Sequence, residues 1–337
     1  MTLNVRLAAL LVGMSLPLLP ARAGAQDASP PRSSGEGSGA VEVLPAAARP
    51  VGPAPVSVRG LITPRPAIAP VVDLPPLPEE TASERFGWFG EQLIYAVTIL
   101  GSTSARAGLS IGYPSQVEGH GSVIPLQGIV ASVGLLRSLY PIHNTALTYL
   151  DPTTGLPTWS DKVLEERDVQ RQYTVTYEGN AFRASIRQVR DGETRQLRRV
   201  VPSNIHDAFS WFLDLRSRDL TEGQRYEYFV FDGWKLSRLR VEVEQETQVL
   251  TGIGYLRAAQ VSLYREVVTS DEPLPWADQA VRLPPVYLPV EPGKRVGRAW
   301  FGLDASRIPI GIELTTSIGP VSVMLQRYEP PTGVTVD

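Results

Sequence analysis

The chain has no cysteine, only three lysines (Lys162, Lys235 and Lys294) and three histidines, and no apolar run of full membrane-spanning length. The missing cysteine excludes a disulfide framework, thiolate metal ligation and a lipid-modified cysteine anchor. His120, His143 and His206 each stand alone in sequence, whereas a metal site typically takes three or four His, Cys or carboxylate ligands at compatible spacing. No metal site and no cofactor are therefore expected. The basic residues other than those three lysines are arginines, which reads mainly as compositional bias.

Reaction signatures are missing as well. There is no Gly-x-Ser-x-Gly elbow, phosphate loop or dinucleotide fingerprint. Gly101-Ser102 and Gly121-Ser122 sit in turn-like contexts where backbone needs alone explain serine. Paired carboxylates remain: Asp207 and Asp214, and the cluster Glu165, Glu166 and Asp168, which reads as lying in a strand. Such pairs hydrolyse glycosides only when held roughly 5–10 Å apart in a cleft. A negative residue at Asp207 is first a helix-start anion. No catalytic residue is assigned, and a hydrolase acting on envelope polysaccharide is the alternative reading.

What is present begins with the N-terminus. Arg6 precedes an apolar run from Leu7 to Pro20, which ends in Ala21-Arg22-Ala23-Gly24-Ala25. That is the layout of a signal peptide over 1–25, too short for a relaxed membrane helix of about 20 apolar residues. Export, to a bacterial periplasm, is the expectation, with no integral membrane span in the mature chain. Removing Arg6 and Arg22 takes two positive charges away and moves the formal net charge from −3 to −5. A mildly acidic chain gives no reason to expect nucleic acid as a partner. Residues 26–85, rich in Pro, Ala, Ser and Gly, read as a disordered spacer.

From 86 to 330 strand signals dominate, and no repeat of fixed period is visible. Residues 91–100 alternate Leu93, Tyr95, Val97 and Ile99, and 105–113 continue after a Gly-Ser-Thr-Ser turn. Residues 171–201 read as three strands turning at Glu178-Gly179-Asn180 and Asp191-Gly192. Residues 225–250 form a hairpin turning at Asp232-Gly233, and 255–268 follow. Three more strands fill 298–328, after a proline-rich excursion at 271–294.

One segment, 203–220, reads as a surface helix with the stripe Ile205, Phe209, Phe212 and Leu213, capped by Ser203 or Asn204. The fold expected is mainly β: a curved antiparallel sheet or partly open barrel with this one amphipathic helix packed on it.

Several spaced signatures run over about residues 90 to 328: Gly90-Glu91, Leu93, Tyr95 and Val97; Leu139-Tyr140-Pro141; Asp151-Pro152 and Leu156-Pro157; and Asp207, Ser210, Phe212 and Arg216, followed by Gly223. Phe231-Asp232-Gly233, Gly254, Trp300, Arg307, Pro309 and Gly319 complete the order. Together they resemble an exported bacterial family, domain of unknown function 3108. Ala105 stands where the family often has glycine. The resemblance implies export and a β-rich fold, and it implies no activity.

Two further readings concern binding. Asp207, Ser210 and Arg216 are expected to be structural, with Asp207 and Arg216 tying the helix to strands because nine residues separate them. A curved sheet under one helix could enclose an apolar cavity lined by Trp211, Phe212, Trp276, Tyr287 and Trp300, binding a lipid; an envelope protein is the other partner. The arginines 183, 187, 190, 195, 198 and 199 read first as a solvated face balanced by nearby acids, and second as a patch for anionic envelope polymers or head groups.

Overall fold

The computed structural model describes residues 85–270, 285–316 and 319–331. The expectations for the leader, for the spacer up to residue 84 and for Trp276 lie outside these residues. Fifteen strands form one sheet, and every pairing between them is antiparallel.

The N-terminal half holds β1 (Gln92–Ile99), β2 (Ser102–Ile111), β3 (Ser115–Val117), β4 (Gly121–Ser132) and a short helix α1 (Gly134–Leu139). It continues with β5 (Ile142–Leu150), β6 (Pro157–Glu166), β7 (Val169–Glu178), β8 (Arg183–Arg190) and β9 (Glu193–Val200). Helix α2 (Ser210–Ser217) leads to the second half. That half holds β10 (Arg225–Phe231), β11 (Leu236–Thr251), β12 (Gly254–Ser270), β13 (Tyr287–Gly302), β14 (Pro309–Thr316) and β15 (Gly319–Glu329).

Strand order runs from β10 through β15, then β1, β2 and β4 through β9, so β15 pairs with β1 in mid-sheet and β9 and β10 are its two ends. The sheet curls into a partly open barrel. Inner residues of distant strands, such as Leu109, Leu164, Val241 and Phe301, share one apolar cluster with α2. The two ends approach without pairing. Val175 and Tyr177 from β7 and Ile186 from β8 pack with Phe231, Leu236 and Val268 from β10, β11 and β12. A bridge from His206 to Val230 covers the β10 edge.

The strong turn signals form as their chemistry requires: Asp191 and Gly192 take φ of 50° and 85°, and Gly233 takes 95°, where glycine carries no Cβ penalty.

Three elements differ from expectation. The helix is shorter, because Ser203 and Asn204 make a turn and His206 then exchanges backbone hydrogen bonds with Phe229 and Phe231 (2.9 and 2.8 Å). Ile205 accordingly packs in the seam rather than on the helix stripe. The helix is also not a surface one: every residue from Ser210 to Arg216 is buried. It occupies the barrel interior, so its apolar residues find partners all round. The excursion yields part of a strand, since β13 starts at Tyr287 in spite of Pro289 and Pro292. There β13 pairs only with β12, and an outer edge tolerates proline. Finally α1, which no periodicity announced, opens at Gly134, which takes a positive φ of 54°.

Candidate functional site

The polar groups of interest are gathered around α2. Asp207 is its cap: Oδ1 accepts the N–H groups of Phe209 and Ser210 at 2.9 and 2.8 Å, while the Ser210 hydroxyl accepts the Asp207 N–H at 3.0 Å. This is a reciprocal capping arrangement, and it displaces Ser203 and Asn204 from that role. Oδ2 accepts the Thr148 hydroxyl of β5 at 2.5 Å. Both oxygens of a fully buried carboxylate are thereby engaged.

Ser210 also meets His206 Nδ1 at 3.1 Å. Burial pushes His206 down to about 4, against the pull of Asp214 and Asp207. The ring stands edge-on to Tyr228, centroids 4.8 Å apart, and the Tyr228 hydroxyl donates to Asp214. Asp214 further accepts from Arg85 Nη1 at 3.2 Å and from Arg218 Nε at 2.9 Å. Burial works to raise its carboxyl; Arg218, His206 and the Tyr228 hydroxyl together outweigh that and hold it below the ordinary aspartate value.

At the other end of α2 the Arg216 guanidinium takes both oxygens of Glu91 at 2.8 and 2.9 Å, and the carbonyls of Ser306 and Arg307 at 2.7 and 3.2 Å. The Trp88 ring lies 3.9 Å below it. On the far wall Lys162 of β6, wholly buried, donates to the Asp232 carbonyl at 3.0 Å across the seam. Burial lowers its pKa, opposed by Asp207 and Asp232.

The four described aromatics considered as a ligand pocket, Trp211, Phe212, Tyr287 and Trp300, do not come together in one. Trp211 and Phe212 are buried in the packed core, against Tyr228 and Phe301, with centroids 6.2 Å apart in each case. Trp300 stands on the opposite face of the sheet from its neighbour Phe301, in a cluster with Ala258 and Ile310. Tyr287 packs on Phe229 at the seam, 5.0 Å between centroids. Glu166 is likewise buried, paired with Arg171 and Asn144.

A cleft of about 560 Å³ opens beside Asp219, Glu222, Glu246 and Arg307. Its charges already serve the fold: Asp219 caps Thr221, Glu246 pairs with Arg257 at 2.7 Å, and Arg307 holds the Arg218 carbonyl. Among the described residues no group of three or more His, Cys, Asp or Glu could hold a metal ion, and no helix is long and apolar enough to cross a membrane.

Sequence reasoning missed Lys162, His206 and Tyr228. The one available signal was Lys162 itself, one of three lysines in a chain whose other basic side chains are mostly arginines. Glu91, Asp207, Ser210 and Arg216, all signature residues, converge on one helix.

A comparison with protein families matches the one described as "Protein of unknown function (DUF3108)" over residues 94–326. The chain belongs to that family. No curated protein matches it. Three solved structures are similar to this DUF3108 protein. One is a β-barrel-like protein of domain of unknown function DUF1849 from Brucella abortus, with 11% identity and TM-score 0.43, covering 71% of this chain and 97% of that one. Another is a candidate exported protein with a YmcC-like fold from Bacteroides fragilis, with 10% identity and TM-score 0.30, covering 72% and 98%. The third is a candidate lipoprotein from Parabacteroides distasonis, with 7% identity and TM-score 0.26, covering 72% and 95%.

Proposed function

We propose that this DUF3108 protein is exported to the periplasm and works there as a non-catalytic module that binds another envelope protein. The N-terminal signal layout over residues 1–25 supports export. The observation that carries the binding reading is the occupied interior. Helix α2 fills the space a lipid would need, with Trp211 and Phe212 packed between helix and sheet. The carboxylates a glycan hydrolase would need are spent: Asp207 on a cap and Thr148, Asp214 on two arginines and a tyrosine. Neither faces a cleft from which a glycosidic oxygen could take a proton. Work by this molecule is thereby directed to its outer surface.

Native mass spectrometry with lipid extraction, on residues 26–337 recovered from a periplasmic fraction, tests this. A bare polypeptide mass and no turnover on peptidoglycan are expected. A stoichiometric apolar adduct would overturn the reading in favour of a lipid carrier, and glycan cleavage lost in Asp207→Asn would favour the hydrolase.

A further inference from the structure

Strand β9 ends the sheet, and among the described residues no strand pairs with its other side. The hairpin it forms with β8 carries six arginines between 183 and 200 against Asp191 and Glu193, a local net charge of +4 in a chain of net −3. Arg190 pairs with Asp191 and Arg195 with Glu193, each at 3.2 Å. Arg183 pairs with Glu178. Arg187, Arg198 and Arg199 form no direct ion pair among the described residues, although Arg198 stands near enough to Glu178 to help hold its carboxyl below the ordinary value. Glu165 and Glu166, expected to balance them, bind Gln170 and Arg171 instead.

Backbone geometry fixes which groups of β9 face outward. Val201 donates its N–H to Phe182, on the β8 side, and in an antiparallel strand alternate residues point both backbone groups the same way. Glu193, Arg195, Leu197 and Arg199 therefore bond to β8, while Thr194, Gln196 and Arg198 turn theirs away from the sheet. The Arg199 guanidinium rests on the outward Arg198 carbonyl at 3.1 Å, a contact that an incoming N–H can replace. The side chains of Gln196 and Arg198 share the outer face with Arg187, which lies directly opposite Gln196.

Two other edges are less open to such an addition: His206 covers β10 at Phe229–Phe231, and the half of β13 that has no second neighbour among the described residues contains Pro289 and Pro292, which have no N–H to give. Residues 193–200 contain no proline. Arginine on an edge also keeps copies of the chain apart, because two β9 edges would bring two +4 surfaces together.

We propose that β9 receives an extended acidic segment of a partner protein by strand addition, with Thr194, Gln196 and Arg198 forming the ladder. Arg187 and Arg198 receive its carboxylates. Main-chain bonds supply affinity in this mode and the charged outer face selects the sequence. The proposal rests on the binding-module reading above.

The test uses the full chain and a labelled synthetic peptide alternating glutamate and valine, with its lysine counterpart as control. The glutamate peptide should bind by fluorescence anisotropy, and the lysine peptide should not. Binding should slow amide exchange at Thr194, Gln196 and Arg198. Combining Arg187→Glu with Arg198→Glu should weaken binding by about tenfold or more. Gln196→Pro should abolish it without moving the thermal midpoint, since that N–H points away from β8.

Full binding by Gln196→Pro, or binding with no amide protection, would reduce the contact to general charge attraction and overturn the proposal. So would phosphatidylglycerol vesicles binding where the peptide does not. If Gln196→Pro fails to fold, the amide exchange measurement decides. A stoichiometric lipid in the native mass spectrum sinks the module reading itself, whereas a bare protein that ignores the glutamate peptide sinks only the edge.

Discussion

Arg216 and Glu91 form a two-pronged ion pair in which neither side chain has any exposure. It joins α2 to the segment before β1, and two loop carbonyls and the Trp88 face complete the arginine's surroundings. Removing one partner leaves the other charge buried and uncompensated. Arg216→Met or Glu91→Leu should therefore cost about 3–5 kcal/mol in urea unfolding, and the double variant should regain much of that loss. Arg216→Lys should rescue little, because an ammonium cannot span both oxygens and the carbonyls.

His206 makes stability depend on mild acid. The unfolded chain takes up a proton near 6.5, and the folded protein only near 4. Between those values proton uptake favours the unfolded state, so stability falls as pH drops through that window, by about 3 kcal/mol in all. Asp214, depressed below 3.8 and facing the same ring, adds its loss only at lower pH. His206→Gln should flatten the limb between pH 6.5 and 4 in denaturation midpoints while leaving the more acidic limb in place.

Asp207→Ala strips the cap from two buried N–H groups and leaves the Thr148 hydroxyl without an acceptor. A loss of about 2–4 kcal/mol is expected by thermal or urea unfolding. Asp207→Asn retains a capping oxygen and should lose less than half of that.

Gly128 on β4 marks where the helix segment presses hardest on the sheet. A Cβ there would lie 2.6 Å from the Phe209 ring. Gly128→Ala should cost about 1–3 kcal/mol, and Phe209→Leu, itself destabilising, should become less so in the Gly128→Ala background. A double-mutant cycle measures that coupling.

What could be read from the sequence follows the range of each interaction. The hairpins at Asp191-Gly192 and Asp232-Gly233 were legible because two adjacent residues carry the whole turn requirement. The family signature pointed to Glu91 and Arg216 individually, yet their pairing spans 125 positions and no local pattern encodes it. Ile205 misled, since an apolar residue four before Phe209 fits a helix stripe as well as it fits the seam cluster. Lys162 and His206 owe their significance to the curling of the sheet, which brings β6 against the β10–β11 turn. The start of β13 was hidden by prolines that only an outer edge accepts.

The pairing of β1 with β15 has a consequence for how the molecule comes into being. Tyr95 sits opposite Leu325, so the middle of the sheet is a contact between the beginning and the end of the folded region. Such a long loop closes slowly and draws no help from neighbours along the chain. A polypeptide stopped before residue 319 lacks the strand that pairs with both β14 and β1, and leaves each of them with a raw edge. The arrival of β15, more than any local event, closes the middle of this sheet.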